Sequence, residues 1–371
     1  MRLGSVGDVF DEPLPAEGRA ATTRTPRSSE AAAARSGASL RIHHRGCCSV
    51  GDAMDARQVA GALGIPLYVV NFRREFSRVI DYFVGEYDAG RTPNPCVRCN
   101  DWLKFGRLFD CAAQLGASHV ATGHYARVSQ ESGASRLRRG IDAAKDQSYV
   151  LFGLRRDRLE QTLLPVGDLR KPQVRELARD LGLPVSEKPD SQEICFVPDD
   201  DYAGLVARRG AAGTREGLLV DDSGGVIGRH SGHQHFTIGQ RRGLGVAAAR
   251  PLYVVAKNAA TNTVTVGPRE SLQVAACTAM ECNWLSDPPS EGAWRECGAQ
   301  FRAHGEAFPA RVCVHPDGSM EVRFENAVDA VAPGQAIVLY EGEVVLGGGW
   351  IDRTIRATDS ASAQLTGASP S

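Results

Sequence analysis

No stretch of the chain approaches the run of about 18 apolar residues that a transmembrane helix needs, and the N-terminus has no apolar signal-peptide core. A membrane anchor and secretion are therefore not expected, and a cytoplasmic location is. The chain also lacks an excess of charge of either sign: 43 Lys plus Arg stand against 44 Asp plus Glu, a formal net charge of -1. Any contact with nucleic acid must then come from local patches and not from a global field. Nor are the 10 cysteines crowded as in a small secreted scaffold; they are spread over 371 residues. In a reducing compartment most should be thiols, and Cys111, Cys277, Cys282, Cys297 and Cys313 read as small buried hydrophobes.

What is present suits a soluble globular protein of two or three domains, with 42% hydrophobic residues. Residues 1–39 are the exception, a leader of Arg, Ala, Ser, Thr and Pro with no apolar period. From Leu40 the pattern changes. Ala53, Ala56, Val59, Ala60 and Leu63 fall on one helical face that Gly64 can close, and "PLYVVNF", Pro66 to Phe72, reads as a buried parallel strand. "KFGRLFDCAAQLGA" is a second amphipathic helix with its stop at Gly116, leading into the strand "SHVATGHYARV". Val174, Leu177, Ala178 and Leu181 make a third helix face that ends at Gly182. This alternation implies an α/β fold with a doubly wound parallel sheet, whose ligands sit beyond the carboxyl ends of the strands, where Gly123 and His124 fall.

After about Tyr202 the texture becomes short alternating segments with DG and GG turns. These read as hairpins, in a small central β domain followed by a β-barrel. The expected organisation is a leader at 1–39, an α/β catalytic domain at 40–201, a central domain at 202–270, a barrel at 271–357 and a tail at 358–371.

The chemistry concentrates in "TPNPCVRCN", Thr92 to Asn100. A lone CxxC serves zinc, iron-sulfur clusters or thiol redox chemistry. No second CxxC and no histidine at finger spacing completes a metal site, so no metal is expected, although a CxxC metal-binding protein remains an alternative. Cys195, in "KPDSQEICFVPDDDY", is the candidate partner, with Asp190, Glu193 and the run Asp199 to Asp201 as acidic neighbours or simply a solvated loop. Arg241 and Arg242 in "HFTIGQRRGLG" suit either an RNA backbone contact or a polar loop.

Together, "GRTPNPCVRCN", "KFG", "ATGHYARV", "KDQSYVLFGL", "KPDSQEICFVP", "TIGQRRGLG", "PLYVVAK" and "TVTVGPRE" resemble the bacterial tRNA-specific 2-thiouridylase family, in order and spacing, from about Leu40 to Ile355. The resemblance implies an adenine nucleotide α-hydrolase-like α/β domain and ATP-dependent replacement of the C2 oxygen of the wobble uridine by sulfur. In that chemistry the oxygen is adenylylated and a persulfide sulfur displaces AMP. It further implies that Cys195 carries the persulfide, that Cys99 is the other catalytic cysteine, drawn as nucleophile or resolving thiol, and that the two form a transient disulfide. Asn94, Pro95 and Cys96 would meet the target base, Gly123 ATP, and His124, Lys145, Asp146, Gln147, Arg302, Ala303 and Gln335 tRNA. ATP with Mg2+, tRNAs for Lys, Glu and Gln, and a sulfur-relay or cysteine desulfurase donor are implied as cofactors and partners of a monomer. Family members open with a strand and a Ser-Gly-Gly-Val-Asp-Ser-Ser phosphate loop; residues 1–46 carry no such sequence. Two readings follow: a misread frame upstream of codon 40, or a variant that no longer activates ATP and only binds tRNA or sulfur.

Overall fold

The computed structural model describes residues 50–188, 194–197, 201–210 and 215–359. The leader, Cys47, Cys48, Asp190, Glu193, Asp199 and Asp200 lie outside the described residues. The first helix, α1 (Val50–Leu63), ends at Gly64 with φ 64°, and the helices before Gly116 and Gly182 stop at φ 69° and 63°. At each stop the missing Cβ lets the backbone turn left-handed.

The spine of the α/β part is α2 (Arg73–Asp88), which buries Phe76, Val79, Phe83, Val84 and Tyr87. That spacing puts five apolar side chains on one stripe. The chain then enters α3 (Pro95–Cys99), a π-helical segment at Asn100–Arg107 and α4 (Leu108–Gln114), three pieces of one continuous rod. Parallel pairing is present where β1 (Val120–Ala121) meets β4 (Thr162–Leu163). Between them β2 (Ala126–Glu131) and β3 (Ala134–Arg139) form a hairpin, followed beyond β4 by α5 (Lys171–Asp180) and α6 (Tyr202–Arg209).

Two expectations change here. "PLYVVNF" carries only a single bridge, at Asn71, and forms no strand among the described residues, with Leu67, Tyr68 and Val69 exposed at 37%, 58% and 53%. A parallel strand is buried only when neighbours flank it and helices cover it, and no described strand lies beside this one. "SHVATGHYARV" is not one strand: it breaks at Thr122–Tyr125, and its second half, β2, pairs antiparallel with β3. The α5 helix forms as expected, yet Leu177 and Leu181 on its apolar face remain exposed.

The alternating segments after Tyr202 pair as hairpins, as expected. β5 (Gly217–Val220), β6 (Val226–His230), β7 (Tyr253–Asn258) and β8 (Thr263–Gly267) make a four-stranded sheet in the order β6-β5-β8-β7. The last six strands are β9 (Gln273–Trp284), β10 (Trp294–Gln300), β11 (Phe308–Val314), β12 (Met320–Asp329), β13 (Ala336–Glu341) and β14 (Val344–Arg356). They run β13-β10-β11-β12-β9-β14, and pairing of β13 with β14 closes the barrel. Val312, Met320, Val322, Ile337, Leu339 and Ile351 fill it. Closure removes the free edges that such a sheet would otherwise present.

Candidate active site

The segment before α3 reaches its place because the barrel holds it. Arg91 donates to Glu86 at 2.8 Å, to Asp352 at 3.2 Å and to the Ile351 carbonyl at 3.1 Å. The Thr92 amide donates to the Pro333 carbonyl, and Gln335 Nε2 donates to the carbonyls of Thr92 and Pro93. Asn94 then caps α3, its side-chain oxygen accepting from the Val97 amide at 3.4 Å, and Pro95 occupies the first turn, where its missing N–H costs nothing. Within α3 the helical period sorts the side chains. Pro95, Val97 and Arg98 are buried, Cys96 is exposed and Cys99 is half-buried. Asn100 continues inward and donates to the Val150 carbonyl.

Cys195 arrives by a different route. Residues 194–197 make a turn closed by the Val197 amide on the Ile194 carbonyl. Phe196 wedges edge-on between Phe76 at 5.7 Å and Phe83 at 5.3 Å, and Val197 is 2% exposed. This wedge pins the turn to α2, so that Cys195 packs, half-exposed, against the cluster of Phe72, Phe76, Val79 and Leu103. Cys99 packs against the same cluster. Both are thiols, and no disulfide is present among the described residues. Cys111, expected as a buried hydrophobe, is half-exposed and also borders this cluster. Cys277, Cys282 and Cys297 belong to the barrel, Cys277 buried and the other two, against expectation, half-exposed; desolvation pushes each thiol up to about 12, which disfavours the reactive thiolate.

Gly123 follows β1, is exposed, and a Cβ there would meet no heavy atom within 4 Å. The backbone at this strand end is therefore open to a ligand. His124, by contrast, turns inward. It is 7% exposed, its Nδ1 lies 2.8 Å from the Thr122 hydroxyl, and its ring faces Phe105 at 5.8 Å. Burial, aided by the Lys104 charge, pushes its pKa down to about 3, so the imidazole is neutral at physiological pH.

The "KDQ" residues order the chain around them. Asp146 accepts from Arg139 at 2.7 Å, from the amides of Gly140 and Ser148, and from the Ser148 hydroxyl. Gln147 exchanges two bonds with the Tyr125 backbone, and the Lys145 amide donates to the Asp142 carbonyl. Arg302 is exposed and lines a surface pocket with Arg269, Phe301 and Phe308, while the Ala303 carbonyl accepts from Gln300 at 3.4 Å. Arg241 and Arg242 are exposed on the central sheet's loop. Asp201, the described member of the acidic run, caps α6 through the Gly204 amide. No group of three or more His, Cys, Asp or Glu among the described residues could hold a metal ion.

Comparison with known proteins agrees with this architecture. Family models match over residues 31–199 (tRNA methyl transferase HUP domain), 209–268 (tRNA methyl transferase PRC-barrel domain) and 274–351 (aminomethyltransferase beta-barrel domain). The chain is 48% identical to the tRNA-specific 2-thiouridylase MnmA of Geotalea uraniireducens over 85% of its length and 84% of the relative's. The chain belongs to the tRNA-specific 2-thiouridylase family. Other family members are the Rhodopirellula baltica protein of the same name, 48% identical over 84% of this chain and 79% of its own, and that of Clostridioides difficile, 41% identical over 84% and 86%.

The family pattern left some residues of this site unread. Arg98 lies inside the CxxC, and its partners Glu281 and Trp350 sit far along the chain in the barrel, 183 positions away in the case of Glu281. Nothing local in the sequence pairs them.

Proposed function

We propose that this chain is a tRNA-uridine 2-sulfurtransferase acting on the wobble uridine of tRNAs for Lys, Glu and Gln. The observation that carries the reading is the convergence of Cys99 and Cys195, both half-exposed thiols, on one apolar cluster. Two thiols that border one apolar cluster suit sulfur transfer better than the methyl transfer named in the family models' descriptions. Family membership supports the substrate.

In this reading a donor protein, of the sulfur-relay or cysteine desulfurase class, loads Cys195 as a persulfide. The terminal sulfur attacks C2 of the uracil presented beside Asn94, Pro95 and Cys96. Cys99 thiolate then attacks Cys195 Sγ, the S–S bond to the transferred sulfur breaks, and the electron pair leaves with 2-thiouridine. A Cys99–Cys195 disulfide is formed, and a dithiol reductant restores both thiols. ATP supplies the AMP group that turns the C2 oxygen into a leaving group. Its adenine nucleotide would lie against the open backbone at Gly123, accompanied by Mg2+. Exposed Arg302 supports contact with tRNA phosphate, and Lys145 and Ala303 are proposed to contact tRNA as well. Asp146, Gln147 and Gln335 would contribute by shaping the loops that tRNA meets, given their internal hydrogen bonds. His124 would do so through its backbone, its ring being buried. A cytoplasmic monomer is the proposed state.

The test is sulfur incorporation with purified tRNA, ATP and a sulfur donor, beside Cys195→Ser. Incorporation that requires Cys195 is expected. No incorporation by the unmutated chain would favour an ATP-defective binder of tRNA or sulfur.

A further inference from the structure

Arg98 occupies an unusual place for a cation. It is 6% exposed, one residue before Cys99, and its guanidinium lies 3.9 Å over the Trp350 ring and 5.1 Å from those of Tyr82 and Trp102. The three rings box it: Tyr82 meets Trp102 edge-on at 5.9 Å and Trp350 at 5.7 Å. A second arginine, Arg78, closes the outer face of Trp102 at 3.9 Å. Both carboxylate oxygens of Glu281 lie 2.9 Å from Arg98 Nη2. The Nε of Arg98, by contrast, has no partner among the described residues. Leaving a buried donor unpaired is unfavourable, so the side chain is held there by the box and the ion pair.

The barrel is shaped to receive it. Glu281 stands at a bulge in β9, where the register against β14 shifts between Gly348 and Trp350, and it takes φ 47°, a left-handed conformation that a non-glycine residue rarely adopts. Trp350 comes from β14 at the same bulge. The Trp350 ring and the Glu281 carboxylate from one irregular spot on the barrel thus converge with Tyr82 of α2 and Trp102 of the π-helical segment on one side chain of the cysteine helix.

We propose that Arg98 is a positioning residue for the sulfur-transfer reaction, latching α3 into the Trp350–Tyr82–Trp102 box and onto Glu281 so that Cys99 is held on the apolar cluster that Cys195 also borders. The latch rests on the reading of Cys99 as a reacting thiol, and it acts through the helix, touching neither substrate nor sulfur. Arginine suits the task because a flat, weakly hydrated cation can stack on rings while its edge donates to a carboxylate. Lysine offers only a compact charge.

The experiment compares the full chain with Arg98→Met, Arg98→Lys and Glu281→Gln by three measurements: site-resolved iodoacetamide labelling of Cys99, Cys111 and Cys195, thermal unfolding, and thiolation kinetics. In Arg98→Met, Cys99 labelling should rise about fivefold or more through local opening of α3, with Cys111 and Cys195 changed by less than about twofold. The kcat for thiolation should fall about 10- to 100-fold at unchanged tRNA KM. Arg98→Lys should recover part of both effects. Glu281→Gln removes an exposed partner without opening the core, and should shift Cys99 labelling the same way by a smaller factor; it decides the matter if Arg98→Met does not fold. Unchanged Cys99 labelling in the folded variants, or equal acceleration at all three cysteines, would overturn the latch. If the unmutated chain thiolates nothing, the proposed function fails while the labelling comparison still decides the latch.

Discussion

Gln335 and Thr92, 243 positions apart in the chain, are joined by a hydrogen bond of 3.2 Å from the Gln335 amide to the Thr92 carbonyl. With Arg91 on Asp352 and Arg98 on Glu281, it fastens the cysteine loop to the barrel. The family resemblance assigns Gln335 to tRNA, yet its side chain is engaged in the fold. Gln335→Ala should therefore lower stability by about 1 kcal/mol with no tRNA present. The check is the shift in denaturant midpoint at constant slope, together with faster alkylation of exposed Cys96.

Substitution of the convergent thiols should separate their roles. Cys195→Ser is expected to abolish both persulfide loading and thiolation, a loss of at least about 100-fold. Cys99→Ser should still accept sulfur on Cys195 but fail to release 2-thiouridine. Cys282→Ser, whose native thiol is pushed up to about 12 by burial, should leave transfer unchanged. Mass spectrometry of the intact protein and of digested tRNA reads all three.

His124 gives a pH signature. Its folded pKa, about 3, lies below the unfolded value of about 6.5, so below pH 6.5 the unfolded chain binds a proton that the folded chain refuses. Stability attributable to His124 is complete above pH 6.5 and declines as pH falls, at on the order of 1.4 kcal/mol per unit, until about pH 3. Thermal unfolding of the native chain and His124→Gln between pH 7 and 4 should diverge at neutral pH and converge as acid is added. A constant difference would show that the imidazole protonates in place.

Arg302, exposed and donating from Nη2 to the carbonyls of Asp329 and Ala330 at 3.4 Å, is the cation proposed to meet tRNA phosphate. Arg302→Ala should weaken tRNA binding and reduce the slope of log affinity against log salt by about one, without altering the unfolding midpoint. Titration at three or four salt concentrations measures this. A drop in affinity at unchanged slope would point instead to the stacked Phe301 and Phe308 pair beside it, whose rings lie 5.5 Å apart.

Much of the local structure was legible because its causes are local. Gly64, Gly116 and Gly182 end helices for want of a Cβ, and the turns at Asp317–Gly318 and Glu341–Gly342 close hairpins with glycine at positive φ. The family motifs located Cys99 and Cys195. "PLYVVNF" misled, since apolarity alone does not make a strand, and among the described residues only Asn71 in it forms a bridge. "ATGHYARV" misled differently, because the tight segment that turns His124 inward divides two strands of unlike pairing.

By itself, then, the sequence determined the helix stops and the hairpins, which depend on side chains within a few positions of one another, and its family motifs pointed to Cys99 and Cys195. Tertiary structure decided what those residues face. Phe196 wedged between Phe76 and Phe83 brings Cys195 to the cluster that Cys99 borders. Trp350 and Glu281 receive Arg98, and burial against Phe105 makes His124 neutral. Such contacts join residues far apart in the chain, and their energies arise from exclusion of water and from stacking geometry, which exist only once the elements have packed.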